Sequence, residues 1–127
     1  MSEAEFYRIP PVLGNENGLH LVFMNLVENS MKYCKRGKEL RLIFDWDEKE
    51  GFVNISIRDY SSFGIEERDK ERVFREGFRG EEARRKDPTG TGIGLADSKK
   101  VMEKMGGDIV LNNCENPTEF IVKIKRA

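Results

Sequence analysis

The sequence is poor in the residues that build metal sites and disulfide bridges, with two cysteines and one histidine among 127 residues. Cys34 and Cys114 are far apart and lack the close spacing of a zinc motif, and nothing in the sequence suggests export. We therefore expect both thiols to be reduced. The single histidine, His20, falls within a helical pattern, and we interpret it as a structural or surface residue.

Long apolar runs and an excess of charge of one sign are also lacking. No run approaches the length that spans a bilayer, and the polar, acidic residues 1–6 are not typical of a signal peptide, so we predict a cytoplasmic domain without membrane contact. The 22 basic and 23 acidic residues give a net charge of −1, which provides no overall field for nucleic acid. A length of 127 residues predicts one domain, residues 1–127, and the 35% of charged residues is typical of a folded, water-soluble chain.

Hydrophobic periodicity predicts helices from residues 14–15 to 34–37 and over residues 95–105. On the first of these, Leu19, Phe23, Leu26, Val27 and Ser30 share one side. The predicted strands cover residues 6–9, 40–46, 52–58, 109–111 and 120–124. The order strand, helix, hairpin, loop, helix, hairpin predicts the α+β class: a two-layer α/β sandwich with a mixed, mostly antiparallel sheet and the helices on one face.

A polar strip follows one side of the first predicted helix. Asn25, Asn29 and Lys32 are spaced i, i+4 and i+7, so their side chains share a face. Carboxamide oxygens can ligate Mg²⁺, a lysine can meet phosphate, and the adjacent Tyr33 can stack on a base. The alternative is a plain solvated helix face. Asparagine is a poor helix former, however, which modestly favours a functional interpretation.

A glycine-rich segment, Gly90-Thr91-Gly92-Ile93-Gly94-Leu95, opens the second predicted helix. Glycines let the backbone approach a phosphate closely, and a helix N-terminus offers free N–H groups. The lysine of a P-loop is missing and no parallel βαβ unit precedes the segment, so neither a P-loop nor a Rossmann site is indicated. The alternative is a flexible turn before a helix.

An acidic residue ends the third predicted strand on its inward side. Alternation along residues 52–58 places Val53, Ile55 and Ile57 inward, and Asp59 continues that series. A carboxylate directed toward a core is costly unless it has a partner. It can accept a hydrogen bond from an exocyclic amine such as N6 of adenine.

Taken together, these motifs resemble the ATP-binding superfamily shared by histidine kinases, DNA gyrase, the Hsp90-type chaperones and the mismatch-repair protein MutL. The matching segments are residues 25–33 (N box), 59–65 (first glycine box), 74–79 (F box), 90–95 (second glycine box) and the pair Gly106-Gly107. The N box and the F box have the histidine-kinase form. The resemblance covers residues 9–125 and implies the Bergerat ATP-binding fold.

The resemblance implies how the phosphates of Mg-ATP would be held. Asn29, together with Asn25, would hold Mg²⁺, while Lys32 and Arg79 would offset phosphate charge. Glu28 would help to position the attacking histidine. The residues that border the phosphates would be Gly90, Thr91, Gly92, Ile93, Gly94 and Leu95, next to an ATP lid at about residues 80–92.

The same resemblance implies an adenine site. Tyr33 would pack near the base and Asp59 would bind its N6 amine, with Gly64 and Ile65 completing the loop. The family pattern is Asp-x-Gly-x-Gly, whereas Asp59 is followed here by Tyr-Ser-Ser-Phe-Gly, which lacks the first glycine and is one residue longer. If that position needs a positive φ, we expect strain at Ser61 or Ser62.

The function that the resemblance implies is that of a protein-histidine kinase catalytic domain. It would donate the γ-phosphate of ATP to a histidine on a separately supplied helical dimerisation domain, and a response regulator would act downstream. His20 has no acidic neighbour of the kind found in acceptor motifs, so it is not the expected phosphoacceptor. The alternatives are a degenerate nucleotide-binding or protein-interaction module without kinase activity, an anti-sigma-type serine kinase, and a stand-alone ATPase with Glu28 as base.

Overall fold

The computed structural model describes residues 2–78 and 93–127. The elements of this part, in chain order, are α1 (Glu3–Phe6), α2 (Glu16–Lys32), β1 (Leu42–Lys49), β2 (Phe52–Asp59), a short 3-10 helix (Glu67–Asp69), α3 (Ile93–Lys104), β3 (Asp108–Asn113) and β4 (Thr118–Lys125). Four antiparallel strands form one sheet in the order β1-β2-β4-β3. Helices α2 and α3 pack side by side on one face of it. The predicted α+β sandwich is therefore confirmed.

The sheet is built from two hairpins whose second strands lie at its centre. β1 and β2 are joined through Glu50 and Gly51, which both have positive φ, as a two-residue hairpin turn requires. In the centre, β2 pairs with β4, and Ile55 lies opposite Val122. Alternation along β2 buries every second residue and ends with Asp59, so the predicted inward direction of this acid is confirmed.

The core lies between the sheet and the two long helices. α2 begins at the Asn15 cap, whose side chain accepts a hydrogen bond of 2.9 Å from the backbone N–H of Gly18. On α3, Ser98 and Met102 are fully buried. On α2, the fully buried residue is Val22, which the sequence pattern did not assign to the inward side.

The predicted strand over residues 6–9 is wrong. The chain instead ends α1 at Phe6 and turns over residues 7–9. Ser2 and Glu5 make a capping box at the start of α1, in which each side chain accepts a hydrogen bond from the backbone N–H of the other. Tyr7 is 76% exposed. Strand-like pairing with the sheet comes later, at Val12, which bridges to Arg126.

The helices of the structure can be compared with the requirements for crossing a membrane. Within residues 2–78 and 93–127, neither the two long helices nor the shorter ones combine the length and the apolar character needed to cross a bilayer.

Candidate functional site

A cavity of about 490 Å³ opens between α2, the start of α3 and the loops that follow β2 and β3. It brings together predicted site residues from all three motifs. They are Asn25, Glu28, Asn29, Lys32, Tyr33, Asp59, Gly64, Ile65, Gly94 and Leu95. Ile93 begins α3, while Arg79, Gly90, Thr91, Gly92 and the predicted lid fall outside the described residues. The roles assigned to all these residues remain predictions.

The α2 side of the cavity carries the two carboxamides. The amide nitrogen of Asn25 donates to the Gly94 carbonyl and to Ser98 Oγ, at 3.1 Å each, so its Oδ1 takes no part in these bonds. Among the residues that the structure describes, the half-buried carboxamide of Asn29 has no hydrogen-bond partner. Two amide oxygens on adjacent turns of one helix are thereby available at the cavity.

The buried acid lines the same cavity as these amides and lies at the end of β2. Asp59 is 5% exposed, and its Oδ1 accepts two hydrogen bonds from Ser61: 2.8 Å from the backbone nitrogen and 2.6 Å from Oγ. Neither bond involves Oδ2. Such bonds stabilise a carboxylate in an apolar setting without using all of its acceptor capacity.

The loop after Asp59 is not strained at the serines. Within the described residues, the only non-glycine residues with positive φ are Glu50 and Asn116, so the expected strain at Ser61 or Ser62 is wrong. The loop turns instead at Gly64, with φ +80°, where an added Cβ would lie 2.7 Å from the Glu115 side chain. The loop there lies against the β3–β4 connection, and the Ile65 N–H donates to the Cys114 carbonyl at 2.9 Å.

Two aromatic rings border the cavity where α2 meets this loop. Tyr33 and Phe63 pack edge to face, with ring centroids 5.6 Å apart. The ammonium of Lys32 lies 5.9 Å from the centre of the Tyr33 ring. This arrangement offers a planar ligand an aromatic wall with a nearby positive charge.

Sequence reasoning missed several lining residues, among them Ser62, Phe63, Thr118 and Cys114. Thr118 is the strand partner of Asp59, shares a 3.1 Å hydrogen bond with Ser62, and donates another to the Cys114 carbonyl. Thr118 could have been predicted only from the register of β2 and β4, which places it opposite Asp59. That register depends on residues far apart in the chain.

The thiol of Cys114 is a buried part of the cavity lining. Burial raises the pKa of this thiol, and the Glu67 side chain adds to the rise through its hydrogen bond to the thiol and its negative charge. Together they take the pKa from 9.0 to about 11. The group is therefore a neutral, poorly nucleophilic thiol at physiological pH.

The candidate metal ligands at the cavity are amide oxygens, not a cluster of His, Cys, Asp or Glu side chains among the described residues. In residues 2–78 and 93–127, three or more His, Cys, Asp or Glu side chains do not gather in a way that could hold a metal ion. The oxygens of Asn25 and Asn29 fit a hard cation such as Mg²⁺, which prefers oxygen ligands and keeps several waters.

Comparison with known proteins agrees with this geometry. The family described as "Histidine kinase-, DNA gyrase B-, and HSP90-like ATPase" matches residues 14–127. Among similar proteins, the sensor histidine kinase YcbM of Bacillus subtilis is 36% identical over 113 residues, which are 88% of this chain and 35% of YcbM. The sensor histidine kinase WalK of the same organism is 35% identical over 94 residues, 74% of this chain and 15% of WalK. The chain thus spans about a third or less of the length of these relatives.

Solved structures give the same result for the fold. The catalytic domain of the histidine kinase ThkA superimposes with a TM-score of 0.70 at 26% identity, covering 89% of this chain and 69% of that domain. The resemblance to the ATP-binding superfamily that includes the histidine kinases is confirmed by the family match and agrees with this structural match. The chain belongs to the histidine kinase-, DNA gyrase B- and HSP90-like ATPase family.

Proposed function

We propose that this chain is the ATP-binding catalytic domain of a sensor histidine kinase. The observation that carries the proposal is one cavity that joins a buried acid on β2 to two carboxamides on α2. These groups match the two ends of ATP: an amine-bearing base and a metal-bound triphosphate. The similarity to sensor histidine kinases supports the assignment to this branch of the family.

At the base end, Asp59 accepts a hydrogen bond from the N6 amine of adenine. Tyr33 packs against the base, and Phe63 supports the Tyr33 ring from its edge. Gly64 and Ile65 close this end, because their backbone is fixed to the β3–β4 connection. A pocket that is largely apolar with a few converging polar groups is the usual form of such a site.

At the phosphate end, Asn25 and Asn29 hold Mg²⁺, with Lys32 and Arg79 offsetting the remaining negative charge. When bound, Mg²⁺ neutralises charge on the phosphate oxygens. Residues 90–95 border the phosphates at the N-terminus of α3, where N–H groups and the helix dipole favour anions. The ATP lid that the family resemblance implies, at about residues 80–92, lies outside the described residues.

The transfer step then requires orientation more than covalent chemistry by this domain. A neutral histidine nitrogen of the acceptor attacks the γ-phosphorus, a new N–P bond forms, and the bond to the β,γ-bridging oxygen breaks to release ADP. Glu28, exposed on α2 beside Asn29, orients that histidine by accepting its other ring N–H. The acceptor lies on a helical dimerisation domain, and a response regulator in the cytoplasm receives the phosphoryl group.

Calorimetric titration with Mg²⁺ and a non-hydrolysable ATP analogue tests the site. We expect binding by the unaltered chain and loss of binding in both Asp59→Asn and Asn29→Ala. Asp45→Asn, on β1 outside the cavity, is the matched control and should bind normally. Failure of the unaltered chain to bind would contradict the proposal.

Transfer itself is tested by adding a histidine-containing dimerisation domain and radiolabelled ATP. Acid-labile, nucleotide-dependent phosphorylation of that histidine is the expected result. Normal nucleotide affinity without transfer to any acceptor histidine would favour the alternative of a nucleotide-binding module that signals through its conformation.

A further inference from the structure

Ser61 stands where the family pattern has its first glycine, and the structure buries it completely, at 0% exposed. All of its polar groups are engaged. Its N–H and its hydroxyl donate to Asp59 Oδ1 at 2.8 and 2.6 Å. The hydroxyl also accepts from the Arg41 N–H at 3.1 Å, and the carbonyl accepts from the Lys35 N–H at 2.7 Å.

These bonds connect the acid to two neighbouring segments. Lys35 follows the end of α2, and Arg41 precedes β1, so Ser61 ties both to the residue that ends β2. A hydroxyl group can donate one hydrogen bond and accept two. The Ser61 hydroxyl acts both ways, because it donates to Asp59 and accepts from Arg41. The orientation of the hydroxyl, and with it the direction of the carboxylate, is thereby fixed.

Resting on the proposed function, we propose that Ser61 is a positioning residue that sets base specificity through Asp59. Both bonds from Ser61 fall on Oδ1, which leaves Oδ2 as the acceptor for a ligand. An amine at position 6 of a purine donates to Oδ2. A 6-oxo purine presents an acceptor there instead, and a carboxylate held in place cannot rotate to relieve the repulsion.

The hydroxyl is what distinguishes this arrangement from the glycine of the family pattern. Glycine would keep the backbone bond to Oδ1, but it would remove the second, charge-assisted bond and leave the Arg41 N–H without its partner. Because Ser61 does not have positive φ, the serine side chain costs no backbone strain. Ser61→Ala therefore removes the hydroxyl and retains the backbone bond.

The test uses two probes, a non-hydrolysable analogue of adenosine triphosphate and the same analogue of inosine triphosphate. Calorimetry with Mg²⁺ gives the dissociation constant of each, and the ratio is the inosine value divided by the adenosine value. The unaltered chain should bind the adenosine probe at least about ten-fold more tightly. In Ser61→Ala the adenosine probe should weaken by about ten-fold while the inosine probe changes less than about two-fold. Ser61→Thr, which keeps the hydroxyl, should restore most of the ratio.

Ser56→Ala is the matched control. It removes a β2 hydroxyl that bonds Glu119 outside the cavity, and the ratio should stay at the unaltered value. If Ser61→Ala does not fold, Ser61→Gly removes the same hydroxyl with the residue that the family pattern uses.

Two outcomes overturn the inference. A ratio that is unchanged in Ser61→Ala, whether neither probe weakens or both weaken equally, would reduce Ser61 to a structural residue while the proposed function stands. Absence of binding of either probe to the unaltered chain would overturn the proposed function and this inference together.

Discussion

The carboxamide nitrogen of Asn25 donates a hydrogen bond of 3.1 Å to the carbonyl oxygen of Gly94, joining the middle of α2 to the first turn of α3. Ser98 completes a triangle: its Oγ accepts from Asn25 at 3.1 Å and donates to the same carbonyl at 2.9 Å. The contact directs the amide nitrogen toward α3. It therefore links the proposed metal ligand to the helix that follows the second glycine box.

Asn25→Ala should lower the affinity for the ATP analogue in the presence of Mg²⁺ by about ten-fold or more and leave the weak affinity without Mg²⁺ nearly unchanged, because an oxygen ligand is lost. It should also reduce the free energy of unfolding by about 1 kcal/mol, the usual contribution of such hydrogen bonds. Calorimetry at several Mg²⁺ concentrations and urea denaturation give the two quantities.

Ser98→Ala provides the control for the stability effect. Ser98 is fully buried and does not line the cavity, so its loss should reduce stability by a similar amount without changing the dependence of binding on Mg²⁺. If nucleotide binding by Asn25→Ala depends on Mg²⁺ as strongly as it does in the unaltered chain, Asn25 is not a ligand of the metal.

Gly64→Ala should destabilise the fold more than Gly37→Ala. Both glycines have nearly the same positive φ, +80° and +78°, so both substitutions share a backbone cost of about 1–2 kcal/mol. Gly37 has open space around it, whereas a Cβ at Gly64 meets the Glu115 side chain at 2.7 Å and the Cys114 carbonyl at 3.1 Å. Urea denaturation should separate the two variants by at least about 1 kcal/mol.

The comparison isolates the contact between the loop after β2 and the β3–β4 connection. Gly64→Ala should also weaken the adenosine probe, because the loop must move away from Cys114, while Gly37→Ala should bind it normally. Equal unfolding free energies for the two variants would mean that the β3–β4 connection moves to accommodate the added methyl group at no measurable cost.

The parts of the molecule that the sequence predicts well are those governed by local rules. The Asn15 cap and the helical period locate α2, and the period of two along β2 places Asp59 on the buried face. The N box and the second glycine box contribute to one cavity because α2 and α3 are neighbours on the same face of the sheet.

The parts that could not be predicted depend on pairings between distant segments. Ser61 meets Arg41 and Lys35 only because the loop after β2 lies between the end of α2 and the start of β1. Thr118 reaches the acid through the strand register. The error at residues 6–9 has a different origin: a local capping box at Ser2 outweighed a short apolar pattern that had too few residues to define a period.

The pH dependence of stability should carry the signature of Cys114. Its pKa is about 11 in the folded chain and 9.0 as its ordinary value, so the folded state holds the proton more tightly. The stabilising contribution is fully present below about pH 9 and is lost as the pH rises toward 11, because the unfolded state then binds fewer protons. The difference in unfolding free energy between the unaltered chain and Cys114→Ala should shrink across this range.

Alkylation reports on the same thiol directly. In a Cys34→Ser background, iodoacetamide should label Cys114 slowly at pH 8, and the rate should rise through pH 10–11. Glu67→Gln should shift that rise to lower pH, since the charge that helps to raise the pKa is gone. A rate that levels off near pH 9 in both proteins would show that the thiol is solvated rather than buried.

Met102 and Met31 offer the same substitution in opposite environments. Met102 is fully buried where α3 packs on the sheet, and Met31 is 61% exposed on α2. Met102→Ala should reduce the free energy of unfolding by about 2–5 kcal/mol, whereas Met31→Ala should change it by less than about 0.5 kcal/mol. Urea denaturation with an unchanged slope would give both values.

Met102 anchors α3 without lining the cavity, so the two effects of its loss can be separated. Under conditions where Met102→Ala remains folded, the adenosine probe should bind within about two-fold of its normal affinity, because the Asn25–Gly94 contact still fixes the first turn of α3. A large loss of affinity in the folded variant would instead mean that core packing, rather than this polar contact, determines where the second glycine box lies.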